Sequence, residues 1–205
     1  MAPVAAHAEA GDWILRARAI MVAPNENSSD ILPAFPGEDV SVNNSFAPEV
    51  DITYMASNNV GFELIAATTK HSASGKTGTT GTLGKLADTW VLPPTLTAQY
   101  HFAPDAKVRP YIGAGVNYTI FWNEDASGPL EAAVGPTSVH MSDSFGYALQ
   151  GGVDIDLSDK VFLNIDVKYI DIDTTATLTT TAAGAQKVRV HLDPLVVGVG
   201  IGIKL

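Results

Sequence analysis

Leu195-Val-Val-Gly-Val-Gly-Ile-Gly-Ile-Lys-Leu205 decides the fold. Its apolar side chains fall on every second position (Leu195, Val197, Val199, Ile201, Ile203, Leu205), with Gly198, Gly200, Gly202 and Lys204 between them. A period of two belongs to a strand, in which successive side chains point to opposite faces. The apolar stretch over residues 194–203 is about half of the ~20 residues that a membrane-spanning helix requires. A tilted strand of ~10 residues is long enough to span, and only alternate positions then need to be apolar.

The same alternation recurs throughout the chain. Trp13, Leu15, Ala17, Ala19 and Met21 lie opposite Arg16 and Arg18, and Phe46, Val50, Ile52 and Tyr54 opposite Ala47, Glu49, Asp51 and Thr53. Phe62 and Leu64 flank Glu63; Leu96, Ala98, Tyr100 and Phe102 alternate with Thr95, Thr97, Gln99 and His101. Residues 111–120, 145–155 and 161–169 repeat the pattern, giving about eight strands of roughly ten residues. The connections alternate as strictly: residues 56–59, 103–107 and 156–160 are short, whereas 23–44, 69–89, 123–143 and 173–187 are long and rich in Gly, Ser, Thr, Pro and Asn. Short periplasmic turns and long extracellular loops are the mark of an all-β, eight-stranded antiparallel transmembrane barrel with both termini on the periplasmic side. Residues 129–134, in the third long connection, are compatible with a short helix.

The alternative is a soluble sandwich or lipocalin-like barrel with its apolar face turned inward. Against it stand aromatics near strand ends (Trp13, Tyr54, Tyr100, Phe102, Tyr169), where an interfacial girdle would place them. The opposite face carries many charges together with Gly113, Gly115, Gly198, Gly200 and Gly202. A crowded lumen needs such small residues, and a solvent-facing strand gains nothing from them.

A length of 205 residues suits one domain. The net charge of −10 disfavours a nucleic-acid partner, and the lack of cysteine removes disulfides and thiolate metal sites. The first ten residues have neither a basic n-region nor an apolar h-region, although Ala6-His7-Ala8 has a small-x-small pattern. Residues 1–11 are therefore expected to be a flexible segment left after signal-peptide removal, and 12–205 the barrel.

Gly75-Lys-Thr77 fails as a phosphate loop, because position 70, where the first glycine belongs, is Lys70. The glycines at 198, 200 and 202 lack the strand–helix context of a dinucleotide fingerprint. His7, His71, His101, His140 and His191 are scattered, without metal-ligand spacing, and read as loop or rim residues. No metal or cofactor is expected. His71, Ser72, His140 and Ser142 could imitate the nucleophile–base pair of an outer-membrane lipid enzyme, the second functional reading.

The inward charges say more. Arg16, Arg18 and Arg109 face Glu49, Asp51, Glu63, Asp154 and Asp166 across one narrow lumen, mostly in its lower and middle part. Lone buried charges are costly, so a salt-bridged plug is expected. Above it the inward residues turn apolar: Ile20, Val22, Ile65, Ala67, Phe121 and Ile170, either loop packing or a hydrophobic-solute pocket. Pro48, Pro93, Pro94 and Pro194 lack an N–H, so each can open the inter-strand ladder and is a candidate lateral exit as well as a candidate bulge.

Phe62-Glu-Leu-Ile-Ala-Ala-Thr68, Leu92-Pro-Pro-Thr-Leu96, Arg109-Pro-Tyr-Ile-Gly-Ala-Gly-Val-Asn-Tyr-Thr119, Tyr169-Ile-Asp-Ile-Asp-Thr-Thr175 and Leu192-Asp-Pro194 together resemble the outer membrane protein W family. The likeness runs over nearly the whole chain. It implies an eight-stranded outer-membrane barrel with a narrow hydrophobic passage and uptake of apolar solutes. An aromatic last residue, which the family uses for insertion, is replaced by Leu205. The expected function is passive uptake of small hydrophobic molecules with lateral release into the bacterial outer membrane. The protein is not expected to be an enzyme. Its partners would be membrane lipids, lipopolysaccharide and the solutes, with a monomer as the expected state. A structural or receptor barrel is the third reading.

Overall fold

A computed structural model describes residues 9–205; of the N-terminal segment expected over 1–11, residues 1–8 lie outside the described residues. Among the described residues, eight strands close an antiparallel barrel: β1 Trp13–Ala23, β2 Ser45–Met55, β3 Val60–Ala67, β4 Thr95–His101, β5 Val108–Ala126, β6 Ser144–Asp156, β7 Val161–Ile170 and β8 Leu195–Lys204. Each strand pairs with the next, and β8 returns to β1 with Leu15 opposite Ile203 and Ala23 opposite Leu195. Closure leaves no edge, which is the condition for backbone polar groups to sit in hydrocarbon.

The burial pattern is inside-out for a soluble protein. Val50, Leu64 and Phe145 are 53%, 51% and 73% exposed, while Arg16 and Glu63 are 0% exposed. That inversion excludes the soluble sandwich. Outward aromatics form two bands: Trp13 on Tyr54 (centroids 5.0 Å) and Tyr100 on Phe102 (5.3 Å) toward the short turns, Trp90 on Trp122 (5.7 Å) and Tyr147 on Tyr169 (6.0 Å) toward the other end. The short turns are closed by backbone bonds such as Ala56 N to Val60 O (2.8 Å) and Leu157 N to Val161 O (2.9 Å).

The long connections are not the irregular loops their composition suggested. Thr69–Gly75 pairs with Lys85–Leu92, which pairs in turn with the upper end of β5. Asp173–Thr180 and Gly184–His191 form a hairpin extended by Thr137–Met141 and by Asn27–Ser28. Threonine-rich segments keep their backbone ladders because their alternate residues, such as Ala176, Val188 and Val190, turn inward onto a shared apolar core. Among the described residues two short helices lie at the tips: α1 Gly78–Leu83 and α2 Gly128–Val134, the latter where residues 129–134 suggested one. Ser127 caps α2 by accepting from Leu130 N at 3.2 Å, with Pro129 in the first turn.

Candidate functional site

The lumen is layered. At the short-turn end Ile14, Met55 and Phe162 form an apolar floor. The guanidiniums of Arg16 and Arg109 each lie 5.4 Å from the centre of the Phe162 ring, and Arg109 is ion-paired with Asp156. Gly202 faces this ring, and a Cβ there would overlap it, so the glycine makes room for the floor.

Above the floor lies the ionic layer. Arg16 reaches Asp154 (2.9 Å), Asp51 (3.1 Å) and Glu63 (3.5 Å). Arg18 reaches Asp51 (2.5 Å), Glu49 (2.8 Å), Glu63 (3.1 Å) and Asp166 (3.7 Å). Neutral donors fill the remaining acceptor sites: Gln99 and Gln150 each donate to Glu63 at 2.8 Å, Tyr111 to Asp166 at 2.9 Å and Asn164 to Asp154 at 2.7 Å. The arginines and carboxylates predicted from sequence thus meet in the lumen, except that Arg109 turns to Asp156 rather than into the central network. Lys168 was missed: it is 1% exposed and bonds Glu49 (2.8 Å) and Asp166 (2.6 Å). Its place on the inward face of β7, two residues after Asp166, was the available signal.

His101 is a correction. It is no rim residue but fully buried in the lumen, stacked 5.2 Å from Tyr111 with Nε2 3.2 Å from Gln99 Oε1. Nor do the loop histidines pair with serines. His71 is held by Asn43 O (2.9 Å) and Thr69 Oγ1 (3.1 Å), and Ser72 donates to Asp88 (2.6 Å). His140 lies 3.9 Å from Glu124, and Ser142 bonds Thr174. The geometry of an activated nucleophile is missing at both positions.

Over the ionic layer opens an apolar cavity with a free volume of about 120 Å³, comparable to the ~150 Å³ apolar cavity that accommodates benzene. Ile20, Val22, Ile65, Ala67, Phe121 and Ile170, the six inward apolar residues read from the strands, all line it. The strands, the connecting loop and helix α2 above the barrel complete it with residues the sequence did not nominate, among them Leu86, Val188 and Val190 from strands, Ile31 and Phe35 from the loop and Leu130 from α2. Glu49, Lys168 and Thr95 are the polar members of its floor.

Three of the four prolines border one break in the wall. Pairing of β3 with β4 stops at Ile65–Thr95 and resumes in the same register at Thr69–Val91, leaving residues 66–68 unpaired with Pro93 and Pro94. Pairing of β2 with β3 stops at Glu49–Ala67, one residue short of Pro48. Thr68 therefore lies outside both ladders, level with Pro48 on one side and with Leu92, next to Pro93–Pro94, on the other, and Ala67, Thr69 and Pro93 line the cavity at that level. On their far sides the same prolines are held: Pro48 sits opposite Ala19, and Pro94 O accepts from Tyr118 N at 3.1 Å. At Pro194 the wall stays bridged, with Ile170 N donating to its carbonyl at 3.2 Å.

Comparison with known proteins agrees with this architecture. A family model described as the OmpW family matches residues 9–205. Outer membrane protein W of Vibrio cholerae is 38% identical over 205 residues, covering 99% of this chain and 92% of that protein. Outer membrane protein AlkL of Ectopseudomonas oleovorans is 27% identical over 195 residues, covering 93% and 80%. The crystal structure of the outer membrane protein OprG from Pseudomonas aeruginosa superposes with a TM-score of 0.91 at 36% identity, covering 98% of this chain and 99% of that one. Its closed barrel, inverted burial and match along residues 9–205 make this chain a member of the outer membrane protein W family, a barrel of the bacterial outer membrane.

Proposed function

We propose that the protein is a passive uptake channel for small hydrophobic molecules, which enter the upper cavity from outside and leave sideways into the outer membrane. The observation that carries this is the stacking of an apolar cavity on a buried layer of mutually paired charges. A hydrophobic solute beside Ile65, Phe121 and Ile170 has no favourable path downward through Arg16, Arg18, Lys168 and their carboxylates. The hydrocarbon layer lies one strand away, and transfer out of water is worth about 0.8 kcal/mol per buried CH₂. At the break around Thr68 the inter-strand ladder is interrupted, which lowers the number of bonds a sideways exit there has to part.

The test restores the donors. Replacing Pro93→Val and Pro94→Thr supplies an N–H at position 93 toward β3, in a register already aligned above and below the gap, while position 94, whose carbonyl accepts from Tyr118 N, faces β5. Flux of a labelled alkane is measured across a membrane whose outer leaflet is lipopolysaccharide, at matched insertion of both forms. Slower flux with the fold intact is the expected result; unchanged flux in a folded double variant rejects this break as the exit.

A further inference from the structure

The charges at the cavity floor are already paired with one another. Glu49 and Lys168 are its charged members, and both belong to the network below. Among the described residues of that network, three cations (Arg16, Arg18, Lys168) face five carboxylates (Glu49, Asp51, Glu63, Asp154, Asp166). No cation there is uncommitted: Lys168 Nζ is held at 2.8 Å and 2.6 Å between Glu49 and Asp166, and Arg18 contacts four carboxylates.

We propose that the cavity accepts neutral apolar solutes and hydrogen-bond-donating ones such as alkanols, and excludes carboxylates of the same chain length. The inference rests on the uptake reading and names the substrate class for that cavity. An entering carboxylate would lose its hydration against apolar walls and meet a floor where carboxylates outnumber cations. Neither effect is offset, because each ammonium or guanidinium already has closer partners. An alkanol hydroxyl can instead donate to Glu49, and an alkane needs nothing from the floor. His71, in the cavity wall just above the Trp90–Trp122 band, supplies no compensating charge: burial holds its imidazole below its ordinary value, against a smaller opposing effect of the hydrogen bond to Asn43 O. Asp88, the other carboxylate at the cavity, is bound by Lys85 at 2.6 Å and faces Lys70 at 3.6 Å, so those lysines are committed as well.

The experiment is a chemical-shift titration of the Ile20, Ile65 and Ile170 methyl groups of the full chain in lipid nanodiscs. The probes are octan-1-ol, methyl octanoate and octanoate at neutral pH, where octanoate is ionised. Octanol and methyl octanoate should shift the three methyls at matched free concentration, with octanoate at least about tenfold weaker. Glu49→Gln, which removes one surplus carboxylate while keeping the side chain's shape, should bring octanoate closer to its methyl ester. Octanoate binding as tightly as the ester in the wild type overturns the inference but leaves uptake standing. If none of the three probes shifts the methyls, the uptake reading fails, and the selectivity fails with it. The wild-type series decides the matter even if the variant does not fold.

Discussion

Glu63 shows how one residue holds the lumen together. Its side chain is fully buried, and its two oxygens serve Arg16, Arg18, Gln99, Gln150 and Thr97. Removing it leaves two guanidiniums short of counter-charge and two amides short of acceptors, at a cost on the order of 3–5 kcal/mol for a broken buried pair. Glu63→Ala should therefore lower the urea midpoint of unfolding sharply. Glu63→Gln, which keeps one acceptor oxygen and the shape, should lower it less. Single-channel conductance should change little in both, since Phe162 still closes the floor. A large conductance gain at unchanged stability would mean that the lumen is an open aqueous pore.

Among the elements, α1 depends on a tether that titrates. Glu38 accepts from Thr80 Oγ1 (2.6 Å), Thr80 N (2.7 Å) and Thr79 N (2.8 Å). The hydrogen bonds from Thr80, helped by Thr79, hold its carboxyl below the ordinary glutamate value, with a smaller opposing effect of burial. The tether is thus fully present above the unfolded value of about 4.3 and is lost as the pH falls through the lower folded value. Amide exchange at Thr79 and Thr80, corrected for intrinsic rates, should be slow and flat from neutral pH down to that range and accelerate below it. In Glu38→Gln the acid-dependent step should disappear. A second element-scale prediction concerns β4 and β5, where Gly115 lies opposite Thr97. A Cβ at Gly115 would overlap the Leu96 carbonyl oxygen and the Thr97 backbone, so Gly115→Val should yield no folded band on unheated gels. Gly128, in the first turn of α2, has open space around it, and Gly128→Ala should be neutral or stabilising by up to about 1 kcal/mol.

The whole molecule is an apolar belt between two aromatic bands, with its polar groups turned inward. Circular dichroism should be dominated by β structure, and the folded form should migrate differently from the boiled form. The band positions give a sharper expectation. Trp13 and Trp122 are 46% and 47% exposed on the outer surface, near opposite ends of the barrel. In single-tryptophan variants, lipids brominated near the headgroup should quench both residues more strongly than lipids brominated at the chain end. Stronger deep quenching of either would displace the belt from its assigned position.

Which side chains share a face was determined by the sequence alone, because the strand period is two whatever the partner strand is. Arg16 with Arg18, Asp51 with Glu49, and Ile65 with Ala67 were legible on that ground, and so were the six apolar residues above the charges. The sense of the faces and the contacts across the lumen were decided by closure. Lys168 meets Glu49, 119 positions away, only because three successive strand pairings, β7 with β8, β8 with β1 and β1 with β2, bring β7 and β2 to one lumen. Arg109 meets Asp156 rather than the central cluster because it lies near the floor. The polar connections looked unstructured, since threonine and serine give a weak local signal; their ladders form only where alternate residues find a common core above the barrel. Pro48 and Pro93–Pro94 read as separate defects in the sequence, and only the strand register sets them on either side of Thr68. A period is a local property of the chain, but a register is fixed by the neighbour each strand pairs with, and that neighbour is chosen by the ring as a whole.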